Sequence, residues 1–512
     1  MNVIYNMNKQ YSEYLDEISE SDLYEGLLGY GMFADKLPPI FTSVHFLSYC
    51  QQNSPTFWDS KWCDFVRYNS MRNVNIPRAL GVPTPMKYYD LCAILRDNWL
   101  LLQQHFQQQT LGHDYRISRI HLRKMYGTKE LFKMNYKNLR SDGNPETDLL
   151  FASSGASKYI VKADISTCFP SIYTHSLPWA LVGKEKSKAT CHDDSLWYNK
   201  IDLACAAMKN GETHGLIIGP VASNLLSEVI LTVVDKKLYD KGYRYSRNID
   251  DYECYTESYE QSQCFLHDLE EALREYDLPL NHKKTSISSL PVAATEKWIH
   301  KLNSYLTITK DTINYKEVNA YLDLAISLAN GYGDSAVLKY AIKALSGKNL
   351  TCNAKQLAAR RIMHVSAIYP YLVQLMEEFV FGPFDVSINN IKLYADALYV
   401  DSCASHNYEA ICYAIYFSLK FGFTLDKLDI QWVIERGDCI LLLMTWLYYL
   451  KLNHNNTRAT ELKPLKKEAK RLMEVDMGRY WLFCYEVLSA GNLKGDWAKL
   501  KKTGITFLRS CF

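Results

Sequence analysis

The sequence predicts an α+β fold: a small antiparallel sheet backed by helices, continued by an all-α region. Two patterns carry that expectation. Between residues 158 and 287 the chain reads strand, helix, hairpin, helix, strand. From about residue 316 apolar residues recur at helical spacing in successive segments with short breaks. Length sets the frame. A chain of 512 residues exceeds what one ordinary core serves, and three regions are expected: 1–150, 151–315 and 316–512.

Residues 1–60 are polar and aromatic. The run Leu37-Pro38-Pro39-Ile40-Phe41 favours an extended turn, because a proline ring disfavours helix at the residue before it. A second such passage runs from Ile76-Pro77-Arg78 through Gly81-Val82-Pro83-Thr84-Pro85, and helical patterning resumes over Tyr88–Gln108. Residues 115–140 are the most basic stretch. Arg116, Arg119, Arg123, Lys124, Lys129, Lys133, Lys137 and Arg140 stand against Glu130 alone. A charge run is usually a solvated face. Its position shortly before a strand that ends in an acid adds a phosphate-binding reading.

The segment from Lys158 to Asp164 reads as that strand. Residues 214–240 read as a turn feeding a helix, and 243–256 as two short strands around Asp250-Asp251. Residues 262–276 are helical, and Leu278–Ile287 returns to extended structure. In the last region Val318–Ala329, Ser335–Leu345, Ala354–Val373, Leu393–Tyr399, Tyr408–Phe421 and Cys439–Leu450 carry the helical spacing. Sequential helices of this kind suggest stacked pairs in an α-solenoid-like array; no clean period emerges, and a plain helical bundle is the alternative.

Hydrophobic residues make up 48% and charged residues 22%, which excludes wholesale disorder. The formal net charge is +2. A protein that grips a long duplex needs a strong basic excess, so this balance points to a short or enclosed nucleic-acid track. The fourteen cysteines contain no CxxC pair and read as small buried residues. Met1 to Gln10 lacks the pattern of a secretory signal, and the longest apolar stretch, Ile440–Leu450, is too short to span a bilayer. A reducing, cytoplasmic setting without membrane attachment is the expectation.

Three acids carry the chemistry. Asp164 closes a strand, and Asp250 and Asp251 occupy a hairpin tip. Carboxylates gathered this closely repel one another unless a cation sits between them. Magnesium prefers carboxylate oxygen, water and phosphate, and two such ions can activate an attacking hydroxyl and neutralise a leaving pyrophosphate. A pair of aspartates in a turn is by itself most often solvated, so the weight rests on the ordered set.

That set resembles the reverse transcriptases. Asp164 followed by Phe169-Pro170-Ser171-Ile172 looks like their motif A, and Gly215-Leu216-Ile217-Ile218-Gly219-Pro220-Val221-Ala222-Ser223-Asn224 is similar to motif B. Arg247-Asn248-Ile249-Asp250-Asp251 matches motif C, and Leu278-Pro279-Leu280-Asn281-His282-Lys283-Lys284-Thr285 resembles motif D. The resemblance implies a fingers–palm architecture. In it Asp164, Asp250 and Asp251, helped by the Ile165 carbonyl, bind two Mg2+ ions. Phe169 is implied as the steric gate against a ribose 2′-hydroxyl. Gly219 lets the loop approach the nucleotide, Lys284 serves the leaving pyrophosphate, and Arg78, Arg119 and Arg123 are candidates for the triphosphate of a dNTP.

The pattern also departs from that family. Ile217 and Ile218 replace the usual Pro-Gln, Asn248 replaces the Tyr before the paired acids, and no thumb is legible after residue 300. Retained chemistry with altered template handling, the Pro-Pro-Ile-Phe run at 38–41 and a helical C-terminal half resemble the abortive-infection (Abi) reverse transcriptases of bacterial phage defence, the AbiK-like group, and its shorter prophage-encoded members in length. That resemblance implies untemplated DNA synthesis primed by a protein hydroxyl, with DNA attached to the protein. It also implies a HEAT-like-repeat domain and a homo-oligomer, trimer or hexamer. Tyr5, Tyr11, Tyr14, Tyr24 and Tyr30 are candidate primers among 38 tyrosines. A retron-type templated enzyme and a non-enzymatic binding protein with a polymerase shell are the rival readings.

Overall fold

The computed structural model describes residues 11–58, 61–72, 77–113, 115–119, 157–291, 296–308 and 312–510. The N-terminal region begins with helices that end in recognisable caps. Ser19 and Asp22 form a capping box on the helix Glu20–Tyr30, which satisfies two amide donors that the first turn would leave bare. The Leu37–Phe41 run is the predicted turn, with Ile40 N donating to Pro38 O at 2.7 Å. A hairpin follows, β1 (Val66–Ser70) antiparallel to β2 (Arg78–Val82), in a register that sets Ser70 opposite Arg78 and Arg67 opposite Gly81.

The single helix expected over Tyr88–Gln108 is two, Pro85–Asp97 and Trp99–Thr110. Asn98 leaves helical geometry at φ −116° and ψ 19°, and its side-chain amide caps the Ile94 carbonyl at 2.8 Å. Short polar side chains compete for backbone groups in this way, and apolar periodicity does not register it.

The central sheet has four antiparallel strands in the order β4-β5-β3-β6: β3 (Tyr159–Asp164), β4 (Arg244–Asn248), β5 (Asp251–Thr256) and β6 (Ser286–Ser289). The helix Ala222–Asp240 is buried on most of its surface, wedged between the Trp99–Thr110 helix and the Tyr259–Arg274 helix. The latter is amphipathic. It lays Phe265, Leu269, Ala272 and Leu273 against β3 and β5. Leu278–Ile287 is not the continuous extended segment the sequence suggested. Leu280 bridges Ile165, then Lys284 N donates to Asn281 O at 3.0 Å to close a turn, and only Ser286–Ser289 joins the sheet.

Beyond the sheet the chain is helical, as expected. The helices include Lys297–Ile308, Tyr315–Tyr332, Ser335–Ser346, Cys352–Ile368, Ile388–Ala404, Tyr408–Phe421 and Cys439–Leu452. The predicted helix over Ala354–Val373 stops at Ile368 because Pro370 withholds an amide donor and pushes Tyr369 out of helical geometry; Pro370–Leu375 continues as a tighter turn of helix. Lys463–Val487 and Gly495–Lys502 escaped the sequence reading. No described helix is long and apolar enough to cross a membrane.

These last helices return to the beginning of the chain. Trp481 Nε1 donates to Val82 O at 3.3 Å, Thr42 N to Phe507 O at 2.9 Å and Arg509 N to Ile40 O at 2.8 Å. The Phe507 ring lies against Phe33, Phe46, Trp481 and Tyr485. One continuous hydrophobic core therefore runs from Tyr11 to Phe507, through all three regions read from the sequence.

A polar clasp adds to it. Glu409, on the Tyr408–Phe421 helix, is 1% exposed. It accepts from Ser70 Oγ at 2.9 Å, Met71 N at 2.7 Å and Gln374 Nε2 at 2.7 Å, so the end of the β1–β2 hairpin hangs on the helical region. Burial raises the carboxyl's pKa and those donors oppose it. Removing the acceptor leaves buried donors unsatisfied. Glu409→Ala is expected to cost about 1–3 kcal/mol of unfolding free energy, read as an earlier midpoint in a denaturant melt; an unchanged midpoint contradicts the clasp.

Candidate active site

The β4–β5 hairpin delivers two acids. Its turn holds Ile249 at φ +60°, a left-handed conformation that a β-branched residue resists. Arg247 fixes it, donating from Nη1 to Ile249 O at 2.9 Å. The same guanidinium, fully buried, donates to Glu228 Oε1 at 2.6 Å and to Asp235 Oδ2 from Nε at 2.9 Å and Nη2 at 2.6 Å. Burial works against that cation, but Asp235 and Glu228 outweigh it and hold the guanidinium well above its ordinary range. Glu228 also accepts from Ser118 Oγ at 2.9 Å, and Asp235 from the Tyr245 hydroxyl at 3.2 Å. The acid-bearing turn is thus anchored to the Ala222–Asp240 helix.

The third acid arrives through strand register. Asp164 ends β3 directly opposite Asp251, so both side chains leave the same face of the sheet. Ile165 N donates to Asp250 O at 3.0 Å and ties that strand end to the turn. Asp164 is 5% exposed. Asn281 Nδ2 donates to its Oδ1 at 2.8 Å and Lys284 Nζ to its Oδ2 at 2.6 Å.

The electrostatics follow from the crowding. Burial, then Asp250 and Asp164, push Asp251 up to about 7. Burial first, and Asp164 after the turn's own amide, govern Asp250, whose pKa is raised as well. The hydrogen bond to Asp164 raises Lys284. Carboxylates that resist ionisation in each other's company suit a divalent cation, and an all-oxygen donor set suits a hard one such as Mg2+. Cys168 is nearby, but burial pushes its thiol up to about 12, so it offers no thiolate. Among the described residues, a second group, His267, Asp268 and Glu271 on an outer helix face, has ligand atoms that all lie within 4.8 Å of one another.

A cleft of about 480 Å3 opens beside them, lined by Asp164, Asp251, Lys284, Asn248, Lys162, Glu253 and Arg119 among others. Arg119 arrives by backbone pairing: Arg119 N donates to Arg247 O at 2.7 Å, and Arg247 N to Ile117 O at 2.9 Å. Arg78 on β2 lies within the field of Asp250, and burial lowers its pKa. Arg123, with the rest of the basic stretch from Lys124 to Arg140, lies outside the described residues, as does Tyr5.

Phe169 is buried. Its carbonyl accepts from Leu216 N at 2.8 Å, so it borders the Gly215–Asn224 loop. That loop is fastened to the hairpin. Gly81 N donates to Ile218 O at 2.8 Å, and Ser223 Oγ to Ile217 O at 2.6 Å. Gly219 sits at φ +134°, and a Cβ there would lie 2.8 Å from Gly81 O. The close approach its missing side chain permits is to β2. Of the tyrosines, Tyr11 and Tyr24 are buried, whereas Tyr14 and Tyr30 keep partial exposure.

Sequence reading missed the anchoring role of Arg247 and the hold of Asn281 on Asp164. A signal for the first existed. Glu228 and Asp235 are seven residues apart, hence two turns apart on one face of a helix, among the buried apolar residues Leu225, Val229, Leu231 and Val234.

The raised Asp251 has a consequence for stability. Without divalent ions the folded chain keeps a proton that the unfolded chain, at about 3.9, has released. Stability is therefore full below about 4 and falls as the pH rises towards 7. Melts in chelator across that range should show the fall, and Asp251→Asn should flatten it; a flat profile for the unsubstituted protein contradicts the crowding.

Residues 112–322, less than half of the chain, match the family model described as reverse transcriptase (RNA-dependent DNA polymerase). No curated protein matches the sequence. Among solved structures, apo telomerase from Candida tropicalis aligns at TM-score 0.32 and 11% identity over 82% of this chain and 72% of that one. The same telomerase truncated from its C-terminal domain aligns at 0.30 and 14%, over 48% of this chain and 55% of that one. Telomerase from Candida albicans in complex with a TWJ fragment of telomeric RNA aligns at 0.30 and 11%, over 89% and 70%. The chain thus spans about half the length of the truncated telomerase. All three acids, Phe169, Gly219 and Lys284 fall inside the segment that matches the reverse-transcriptase model.

Proposed function

We propose that this protein is a DNA polymerase of phage defence by abortive infection. In this reading it adds deoxynucleotides without a template, primes from one of its own tyrosines and works as a homo-oligomer in the cytoplasm. The observation that carries the catalytic part is the register of Asp164 against Asp251 with Asp250 at the adjoining turn. Bound at these carboxylates, two Mg2+ ions would activate the attacking hydroxyl and neutralise the leaving pyrophosphate. The chain's own residues do the rest. Arg119 and Arg78 draw the triphosphate, Lys284 holds a proton within reach of the leaving group, and the Phe169 ring fills the space of a 2′-hydroxyl. The Ile165 carbonyl completes the oxygen donors. The helical region, read as HEAT-like pairs, is the oligomerising part.

Two features support synthesis without a template. Ile218 cannot make the side-chain hydrogen bond of the glutamine usual at that position, and its carbonyl is already bonded to β2. The net charge of +2 is small for a duplex-gripping enzyme. The description of the matched family, RNA-dependent, favours the templated rival.

One incubation separates them. Purified protein with Mg2+ and each labelled dNTP, and no nucleic acid, should yield DNA that stays with the denatured protein. Strict dependence on an added RNA template would falsify the untemplated reading. Asp250→Ala or Asp251→Ala should lower the rate roughly a thousandfold or more without lowering the unfolding midpoint. Phe169→Ala should narrow the preference for dNTP over NTP by roughly tenfold or more; unchanged selectivity removes Phe169 from the gate.

A further inference from the structure

Three lysines from two separate elements converge on one short segment, residues 371–379. Lys36, in the turn after the Glu20–Tyr30 helix, donates to Gln374 Oε1 at 2.8 Å. Lys339 and Lys343, one turn apart on the Ser335–Ser346 helix, lie 5.1 Å from the ring centres of Tyr371 and Phe379. Gln374 in turn donates to Glu409, which holds Ser70, and Ser70 pairs across the hairpin with Arg78. Arg78 stands in the field of Asp250. A chain of contacts therefore joins the β1–β2 hairpin to the helical region, and Arg78, Lys36, Lys339 and Lys343 lie along it.

No described carboxylate forms an ion pair with Lys36, Lys339 or Lys343 within 4.0 Å. Glu409 faces them and offsets part of their charge, since the groups bonded to it, Ser70, Met71 and Gln374, are neutral donors. Asp35 and Asp334 lend weaker support. Desolvation, with the neighbouring cations adding to it, lowers the pKa of Lys36 and Lys339. Like charges held together in a chain of net charge +2 are a local concentration rather than part of a generally basic surface.

We propose that this line of cations is a track for the sugar–phosphate backbone of a single nucleic-acid strand, leading between the palm and the helical region. Charges strung along several elements suit the repeated phosphates of a strand better than one compact triphosphate. The direction of the track rests on the polymerase reading; its charge does not.

The test is binding of a labelled single-stranded oligodeoxynucleotide to the full chain, followed by fluorescence anisotropy in chelator across a salt series. No synthesis occurs there, so the result is independent of catalysis. Lys339→Gln with Lys343→Gln should weaken binding roughly tenfold and make the salt dependence shallower by about 1.4, two contacts at ~0.7 each. Lys339→Arg with Lys343→Arg should keep both. Should the glutamine pair lower the unfolding midpoint, Lys343→Gln alone should still change the slope by about 0.7. Unchanged affinity and slope, or no binding by the unsubstituted chain, overturns the track. So does a loss seen only in the KM for dNTP, which would assign the lysines to the triphosphate. Intact oligonucleotide binding with no nucleotide incorporation would sink the polymerase reading and leave the track standing.

Discussion

The site depends on the Arg247 guanidinium. It bonds two carboxylates of one helix and the carbonyl of the residue before Asp250, and all of this is out of solvent. An unpaired charge at that depth would be costly, so the three partners and the cation fix one another. The left-handed Ile249 follows, and with it the position of the acid pair. Register in the sheet then brings Asp164 opposite Asp251. A one-residue slip would turn Asp164 to the other face, and the Arg247 anchor opposes such a slip by pinning the hairpin end.

The same logic of fixed neighbours extends outward. Gly81 and Gly219 let the loop that borders Phe169 lie against β2, and the end of that hairpin is held by Glu409 from the helical region. The last helices close back onto β2 and the N-terminal turn through Trp481 and Phe507. The helical region is thus a structural neighbour of the hairpin that carries Arg78 rather than a separate appendage.

Much of this was legible in the sequence, and the physical reasons differ by element. Asp164, Asp250 and Asp251 were legible as an ordered set, an acid closing the strand Tyr159–Asp164 and a pair at a hairpin tip, inside four motifs that follow one another in order. The Tyr408–Phe421 helix was legible to the residue from its apolar spacing, and the structure caps it with Asn407 and ends it at a left-handed Gly422. The break at Asn98, the early stop before Pro370 and the turn at Asn281–Lys284 turn on single backbone hydrogen bonds that apolar periodicity averages away. The return of the C-terminus to Ile40 and Val82, and the gathering of Lys36, Lys339 and Lys343, join positions hundreds of residues apart. No local pattern encodes such contacts. The basic stretch through Arg123 remains a reading from sequence.

The proposed chemistry requires Asp164, Asp250 and Asp251 jointly to hold divalent cations. Manganese binding followed by electron paramagnetic resonance tests it directly. Free Mn2+ signal should be lost on adding the protein, restored by excess Mg2+, and retained when Asp250→Asn and Asp251→Asn are combined. Equal Mn2+ uptake by that double variant would contradict it.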